Sequence, residues 1–288
     1  MEKLIDMHVH TTYSDGELTP KEVIKKAINH NIGIISLTDH DTINGVKTID
    51  RNEDYIKNSG IKIINGIEVS CKYDNGTMHI LGYDYDLDNS DLNKWLDDIR
   101  TNRMNATLSV MEQIKRDYGI VFNYQDIIDM INKNNIGRPD LAKLCIKYGF
   151  CSTVDEAFDW FLNPAKKKIQ KTNKRTTFPE CFKIIKNSGG LVVLAHPNSL
   201  LLDKNELEKM IIDMKKYGLD GIEVYHSSFT NKESNLYLNI ANKYNLLISG
   251  GSDYHGPIVK PDTSLGVGRG NLHIKKLSLV DEIKRRNS

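Results

Sequence analysis

Only four of the 288 residues are cysteine (Cys71, Cys145, Cys151 and Cys181), and no two stand in CxxC spacing. In a chain this long that argues for buried thiols rather than a disulfide framework. Charge of one sign is equally scarce, with 39 Lys and Arg against 38 Asp and Glu, a formal net charge of +1. This excludes a protein held to nucleic acid or membrane by bulk electrostatics, but not one that takes a short or single nucleotide in a local basic pocket. No apolar run approaches the roughly 18 residues that a membrane helix needs. No secretory leader is expected, because a strand pattern with charged neighbours begins at once. Internal repeats and low-complexity tracts are also missing. These absences predict a soluble, cytoplasmic protein with no obligate protein partner, built as one large domain or one domain with an insertion.

The first apolar run, Leu4, Ile5, Met7 and Val9, reads as a buried strand. Alternate side chains of a strand share a face, so His8 and His10 point the same way, about 7 Å apart along the chain. Two such imidazoles can converge on one ion, with Asp15 folding back from the following loop as a third ligand. A helix follows, with Thr19 as N-cap and Pro20 in the first turn. Further strands are expected at 34–38, 61–69, 78–83, 190–195, 221–225 and 246–251, and a second helix from about Val46 to Asn58. Strands that alternate with helices imply parallel pairing and an α/β barrel, whose functional residues gather at the C-terminal strand ends.

From Ser90 to Lys168 no strand pattern is visible; helices such as Leu92–Tyr118 and Tyr124–Asn134 dominate, and 166–177 reads as a link back. The expected organisation is a barrel from 1–90 and 172–288, with 91–171 as a helical insertion or cap.

Six of the nine histidines fall at predicted strand ends: His8, His10, His40, His79, His196 and His255. Asp15, Glu68 and Asp253 accompany them. One strand-end histidine is ordinary, whereas nine N and O donors converging on one barrel mouth exceed the roughly three protein ligands of a mononuclear catalytic site. With no thiolate among them, Mn²⁺, Zn²⁺ and Fe²⁺ suit the donors better than softer ions. His226 closes another strand, as a substrate contact or as support behind the ligands.

These residues fall into ordered motifs: Asp6-Met7-His8-Val9-His10-Thr11 with Ser14-Asp15-Gly16, Thr38-Asp39-His40-Asp41, Gly66-Ile67-Glu68, His79, Ala195-His196-Pro197 and Gly251-Ser252-Asp253-Tyr254-His255-Gly256. The set resembles the PHP (polymerase and histidinol phosphatase) family of phosphoesterases across both halves of the chain. The resemblance implies a distorted (β/α)7 TIM-like barrel, a trinuclear site and phosphoester hydrolysis, with Mn²⁺ the favoured ion. It would assign His8, His10, Glu68 and Asp253 to the first ion. Glu68 would bridge to a second ion completed by His79 and His196, and Asp15, His40 and His255 would hold the third. Attack by metal-bound hydroxide is then expected, with Asp253, Glu68 and His226 closest to the chemistry.

Ile136-Gly137-Arg138-Pro139-Asp140 resembles the Gly-Arg-Pro element of the nucleotide-cleaving branch, which implies Arg138 as a bidentate phosphate clamp. Asp140 and Phe229 stand where that branch more usually carries histidine, and Asp140 would repel a second phosphate. The run Lys166-Lys167-Lys168 reads as a solvated face. The expected activity is removal of phosphate from a nucleoside 3′,5′-bisphosphate or AMP-like nucleotide. The alternatives are 5′-3′ trimming of short RNA, histidinol phosphate hydrolysis, and a non-catalytic metal-binding module.

Overall fold

The computed structural model describes residues 2–131, 136–169 and 176–288. The chain divides into two compact units, Met1–Trp95 with Thr176–Ser288, and Leu96–Arg175. The first unit holds all seven strands: β1 (Leu4–Val9), β2 (Ile32–Leu37), β3 (Lys62–Cys71), β4 (Met78–Tyr83), β5 (Leu191–Leu194), β6 (Gly221–His226) and β7 (Leu247–Gly251). They neighbour one another in sequence order. The sheet then closes on itself: Asp253 N donates to His8 O at 2.8 Å and His10 N to Tyr254 O at 2.9 Å. Gly251 permits that seam, since a Cβ there would stand 2.3 Å from His8 N. The barrel expected from the alternation of strands and helices is therefore present.

Uniform parallel pairing is not. β4 runs antiparallel to both β3 and β5, while the other neighbours pair in parallel. The cause lies in the connection: residues 72–77 alone join β3 to β4. A parallel partner needs a crossover of a dozen residues or more, so this short link can only fold back as a hairpin. The reversal brings the N-terminal end of β4 to the mouth where the neighbouring strands end. His79 is therefore the second residue of its strand, not a residue at the strand's C-terminal end.

Helix α1 (Pro20–Asn29) begins as expected: Glu22 N donates to Thr19 Oγ1 at 3.3 Å and Thr19 N to Glu22 Oε2 at 2.8 Å. Its buried face, Val23, Ile24 and Ala27, packs with Val9, Ile35 and Leu37 of β1 and β2. The single helix expected over 46–58 is instead two short ones, α2 (Asn44–Lys47) and α3 (Asp54–Ser59). The break carries Asp50, whose carboxylate accepts from Asn52 N at 2.8 Å, a turn that competes with helix continuation. Opposite the mouth, the barrel is plugged by Ile5, Met7, Leu81, Tyr83 and Val193, among others.

The second unit is helical: the remainder of α4 (Ser90–Tyr118), α5 (Tyr124–Ile131), α6 (Arg138–Lys147), α7 (Val154–Ala157), a π-helical turn (Phe158–Leu162) and α8 (Asn163–Lys168). Its own core gathers Ile114, Phe122, Leu141, Cys145 and Leu162. The division from the barrel falls inside α4, while the return boundary expected at 171/172 lies outside the described residues, as does the end of the helix expected to reach Asn134. Lys166, Lys167 and Lys168 form the last turn of α8 rather than a link, which suits cations at a helix C-terminus. Back in the barrel unit, α9 (Phe178–Asn187), α10 (Lys204–Lys216), α11 (Asn231–Lys243) and α12 (Ser278–Arg286) complete the fold. All four cysteines are free, three of them buried. No helix among the described residues is long and apolar enough to cross a membrane.

Candidate metal centre

Asp6, His8 and His10 occupy alternate positions of β1 and its end, on the face turned into the barrel. Asp6 makes no use of the mouth. Its carboxylate accepts from Ser252 N (2.8 Å), Ser252 Oγ (2.6 Å) and Gly266 N (2.8 Å), and so sets the segment after β7 that carries Asp253 and His255. Burial pushes its pKa up against those hydrogen bonds. Asp39, at the end of β2, does the same for the loop after β1. It accepts from Thr11 N (2.8 Å), Thr11 Oγ1 (2.7 Å) and Ser14 Oγ (2.7 Å), stapling the turn that presents Asp15.

Glu68 is the hub of the mouth. Its side chain is 1% exposed and stands within reach of five imidazoles. Oε2 lies 3.2 Å from His8 Nε2, His10 Nε2 and His40 Nδ1. Oε1 lies 2.9 Å from His79 Nδ1 and 2.8 Å from His196 Nε2. Burial opposes its ionisation, but the surrounding His40, His79 and His8 hold its pKa well below the usual carboxylate range. Asp253 faces the same space: Oδ1 is 3.6 Å from His8 Nε2 and 3.3 Å from His10 Nε2, while Oδ2 meets His226 Nε2 at 3.2 Å and the Lys260 ammonium. Asp15 lies with His255 (Nε2 to Oδ1, 3.2 Å) and His40 (Nε2 to Oδ2, 3.8 Å), and His10 Nδ1 also comes within 3.5 Å.

Two buried ring nitrogens in this cluster, His8 Nε2 and His10 Nε2, have no hydrogen-bond partner among the described residues. Both face Glu68 Oε2, although an unpaired buried polar atom normally costs about 1–3 kcal/mol. A divalent cation between imidazole lone pairs and carboxylate oxygens satisfies both, so the residues fit a metal. Four groups bring donor atoms within 4.8 Å of one another: His10, Asp15, His40 and His255; His8, His226 and Asp253; His8, His10 and Glu68; and His40, Glu68 and His79. His196 belongs to none of these groups but lies 2.8 Å from Glu68 Oε1, so all nine residues expected as ligands meet at one mouth.

The remaining expected residues fall out differently. His226 is buried against Asp253, with Nδ1 2.8 Å from Ser228 Oγ, and Phe229 packs on its ring at 5.0 Å. Phe229 is itself buried and packs on Tyr237, so its place in the fold is that of a core residue. In the helical unit Arg138 opens α6, donates to Asn163 Oδ1 at 3.0 Å and lies 5.1 Å over the Phe158 ring. Asp140 accepts from Gly137 N at 2.9 Å and so caps its own helix. Lys168 pairs with Asp117 at 3.0 Å and is largely exposed.

Sequence reasoning missed Glu223 and Lys260. Glu223 sits in β6 between Ile222 and Val224 with no exposed surface. Its isolation among buried apolar neighbours is a signal, since an unpaired carboxylate is hardly ever buried. Lys260 carries no such signal.

A barrel whose mouth gathers buried imidazoles and carboxylates around shared carboxylate oxygens defines a metal-dependent hydrolase of the α/β-barrel class. The model of the PHP domain family matches residues 6–217, and the chain belongs to that family of phosphoesterases. It is similar to a 5′-3′ exoribonuclease of Haemophilus influenzae, 28% identical over 89% of this chain and 92% of the relative. It is also similar to a 3′,5′-nucleoside bisphosphate phosphatase of Chromobacterium violaceum, 28% identical over 88% of this chain and 87% of the relative. A solved structure described as an amidohydrolase of Chromobacterium violaceum, with bound sulfate and no metal, superposes with a TM-score of 0.77 at 27% identity. It covers 98% of this chain and 96% of that one.

Proposed function

We propose that this phosphoesterase hydrolyses the phosphate monoester of a small nucleotide, a nucleoside 3′,5′-bisphosphate or an AMP-like compound, with three divalent ions per chain. The observation that carries the reading is the pair of partnerless ring nitrogens, His8 Nε2 and His10 Nε2, turned on Glu68 Oε2. In it, His8, His10, Glu68 and Asp253 hold the first ion, Glu68 with His79 and His196 the second, and Asp15 with His40 and His255 the third. The all-N and O donor set favours Mn²⁺, with Zn²⁺ and Fe²⁺ also accommodated. Bound divalent ions stabilise the charge that develops on phosphoryl oxygens and acidify a water that can attack phosphorus.

The chain's own residues do the rest. Glu68 turns Oε2 toward His8, His10 and His40 and Oε1 toward His79 and His196, so it would help hold ions on both sides of the cluster. Asp253 turns Oδ1 toward His8 and His10 and keeps Oδ2 for His226 and Lys260. In this reading a phosphoryl or leaving oxygen would lie beside His226 and Lys260, which would give His226 a substrate-facing role. Arg138 is the proposed phosphate clamp on its chemistry, a planar guanidinium opening a helix.

The Haemophilus influenzae relative supports a second reading, stepwise 5′-3′ cleavage of short RNA by the same residues. Purified protein with Mn²⁺ is assayed for phosphate or nucleotide release from 3′,5′-bisphosphoadenosine, AMP, histidinol phosphate and a 5′-phosphorylated oligoribonucleotide. Fastest turnover of the bisphosphate supports the phosphatase, and mononucleotide release from the oligomer supports the exoribonuclease. Metal binding without turnover of any of the four overturns both.

A further inference from the structure

Glu223 is a fully buried carboxylate behind the mouth that holds no expected ligand position, and both of its oxygens are engaged. Oε1 lies 3.0 Å from His8 Nδ1, and Oε2 accepts from His196 N at 2.8 Å. These two partners serve opposite sides of the hub: His8 Nε2 faces Glu68 Oε2, while His196 Nε2 faces Glu68 Oε1. The His8 and His196 rings stand 5.9 Å apart and nearly parallel, at 23°. One pair of histidines is thus gripped between two carboxylates, Glu68 in front and Glu223 behind.

We propose that Glu223 is a positioning residue that sets the His8 and His196 ends of the metal centre together. An ionised carboxylate only accepts, so a ring nitrogen 3.0 Å from it carries the proton. His8 is thereby held as the Nδ1–H tautomer, with the Nε2 lone pair aimed at the space shared with Glu68, His10 and Asp253. The second oxygen anchors the backbone where β5 passes into the His196 turn, and so fixes the approach of that imidazole to Glu68 Oε1. A carboxylate is needed because two donors require two acceptors. The amide of glutamine offers one acceptor and places an NH2 against the other donor. In the Glu223→Gln variant either the His196 anchor is lost, or His8 takes the Nε2–H tautomer and points a proton at the ion.

This inference rests on the metal-centre reading, and the experiment separates the two. Wild type and Glu223→Gln are stripped with chelator and reloaded with Zn²⁺, then compared for ion stoichiometry and for affinity by competition with a chelating dye. Far-UV circular dichroism and melting check the fold. The expected result is a folded variant that binds the ions on the His8 and His196 sides about 10–100-fold more weakly. Nitrogen-15 histidine spectra of Zn²⁺-loaded wild type, with His8 assigned by a His8→Gln comparison, are expected to show Nδ1 protonated and Nε2 metal-bound. Wild-type affinity in a folded variant, or an Nε2-protonated His8 in the wild type, overturns the role of Glu223. A wild type that retains no ion overturns the metal centre itself. The spectra need no variant of Glu223, so a Glu223→Gln chain that fails to fold leaves the tautomer as the deciding observation.

Discussion

Two carboxylates of the mouth, Glu68 and Asp15, show how differently one barrel can hold a ligand. Glu68 lies within β3, is 1% exposed, and has its backbone locked by pairing with Leu81 of β4 and by a bridge to His40 in the segment after β2. Asp15 stands on a loop, is 53% exposed, and owes its place to hydrogen bonds that Asp39 makes to its neighbours. The strand-borne carboxylate is fixed before any ion arrives. The loop-borne one can adjust to the ion and to the substrate. The difference teaches that the centre has a rigid end and an adaptable end.

The comparison breaks most sharply at Glu68. The Glu68→Gln variant should lose ions from both sides of the hub and lower kcat on the order of 10³-fold, as measured by metal analysis and steady-state assay. If Glu68→Gln keeps its full complement of ions, the rigid end is not the hub.

The pH response of metal-stripped protein comes next. Burial works to depress His10, but Asp253, Glu68 and Asp15 override it and hold the imidazole up to about 9. Burial lowers His40 to about 4, despite Glu68 and Asp15. An unfolded imidazole titrates near 6.5, so His10 stabilises the fold fully below about pH 6.5 and loses that contribution as pH rises through about 9. His40 acts in the opposite sense, favouring the unfolded chain as pH falls from about 6.5 toward 4. Each limb is on the order of 3 kcal/mol. The melting temperature in chelator should therefore peak near pH 6.5, with His10→Gln flattening the alkaline limb and His40→Gln the acid limb. A monotonic profile would contradict the site's electrostatics.

Asp15→Asn should cost one ion at most, with a 10–100-fold weaker affinity confined to that ion. Loss of all ions would erase the distinction between the two ends. Arg138→Ala should leave metal content unchanged and raise KM roughly 10- to 100-fold, in line with loss of a charge-assisted hydrogen bond of about 1.5–3 kcal/mol. The smallest effect is expected at Thr19→Ala, about 1 kcal/mol of stability from the lost cap of α1, read by thermal melting with activity unchanged.

The strands and the convergence of the nine residues expected as ligands were legible for one physical reason. Histidines and carboxylates at the edges of short apolar runs have no place in a core unless they meet each other, and here all nine do. The antiparallel β4 was hidden because buried runs look alike in either direction; only the six residues 72–77 between β3 and β4 could have revealed it. The broken helix over 46–58 was lost to the side-chain turn at Asp50. Asp6, Asp39 and Glu223 were passed over because their motifs drew attention to the neighbouring histidines, although an acid inside a buried run calls equally for a partner. Asp140 was read for its charge, while its hydrogen bond to Gly137 N makes it a helix cap.

The seam between β1 and the segment after β7 has one more consequence. Glu68 and His79 are eleven residues apart and come together in a hairpin, a contact that can form within microseconds. His10 meets Tyr254 only when the two ends of the barrel join, a far longer loop closure than that of the hairpin. A growing polypeptide that has not yet reached Asp253 and His255 can carry the hairpin but not the finished cluster. On the proposed function, hydrolysis would have to wait for completion of synthesis, and a chain cut short before β7 is expected to release no phosphate.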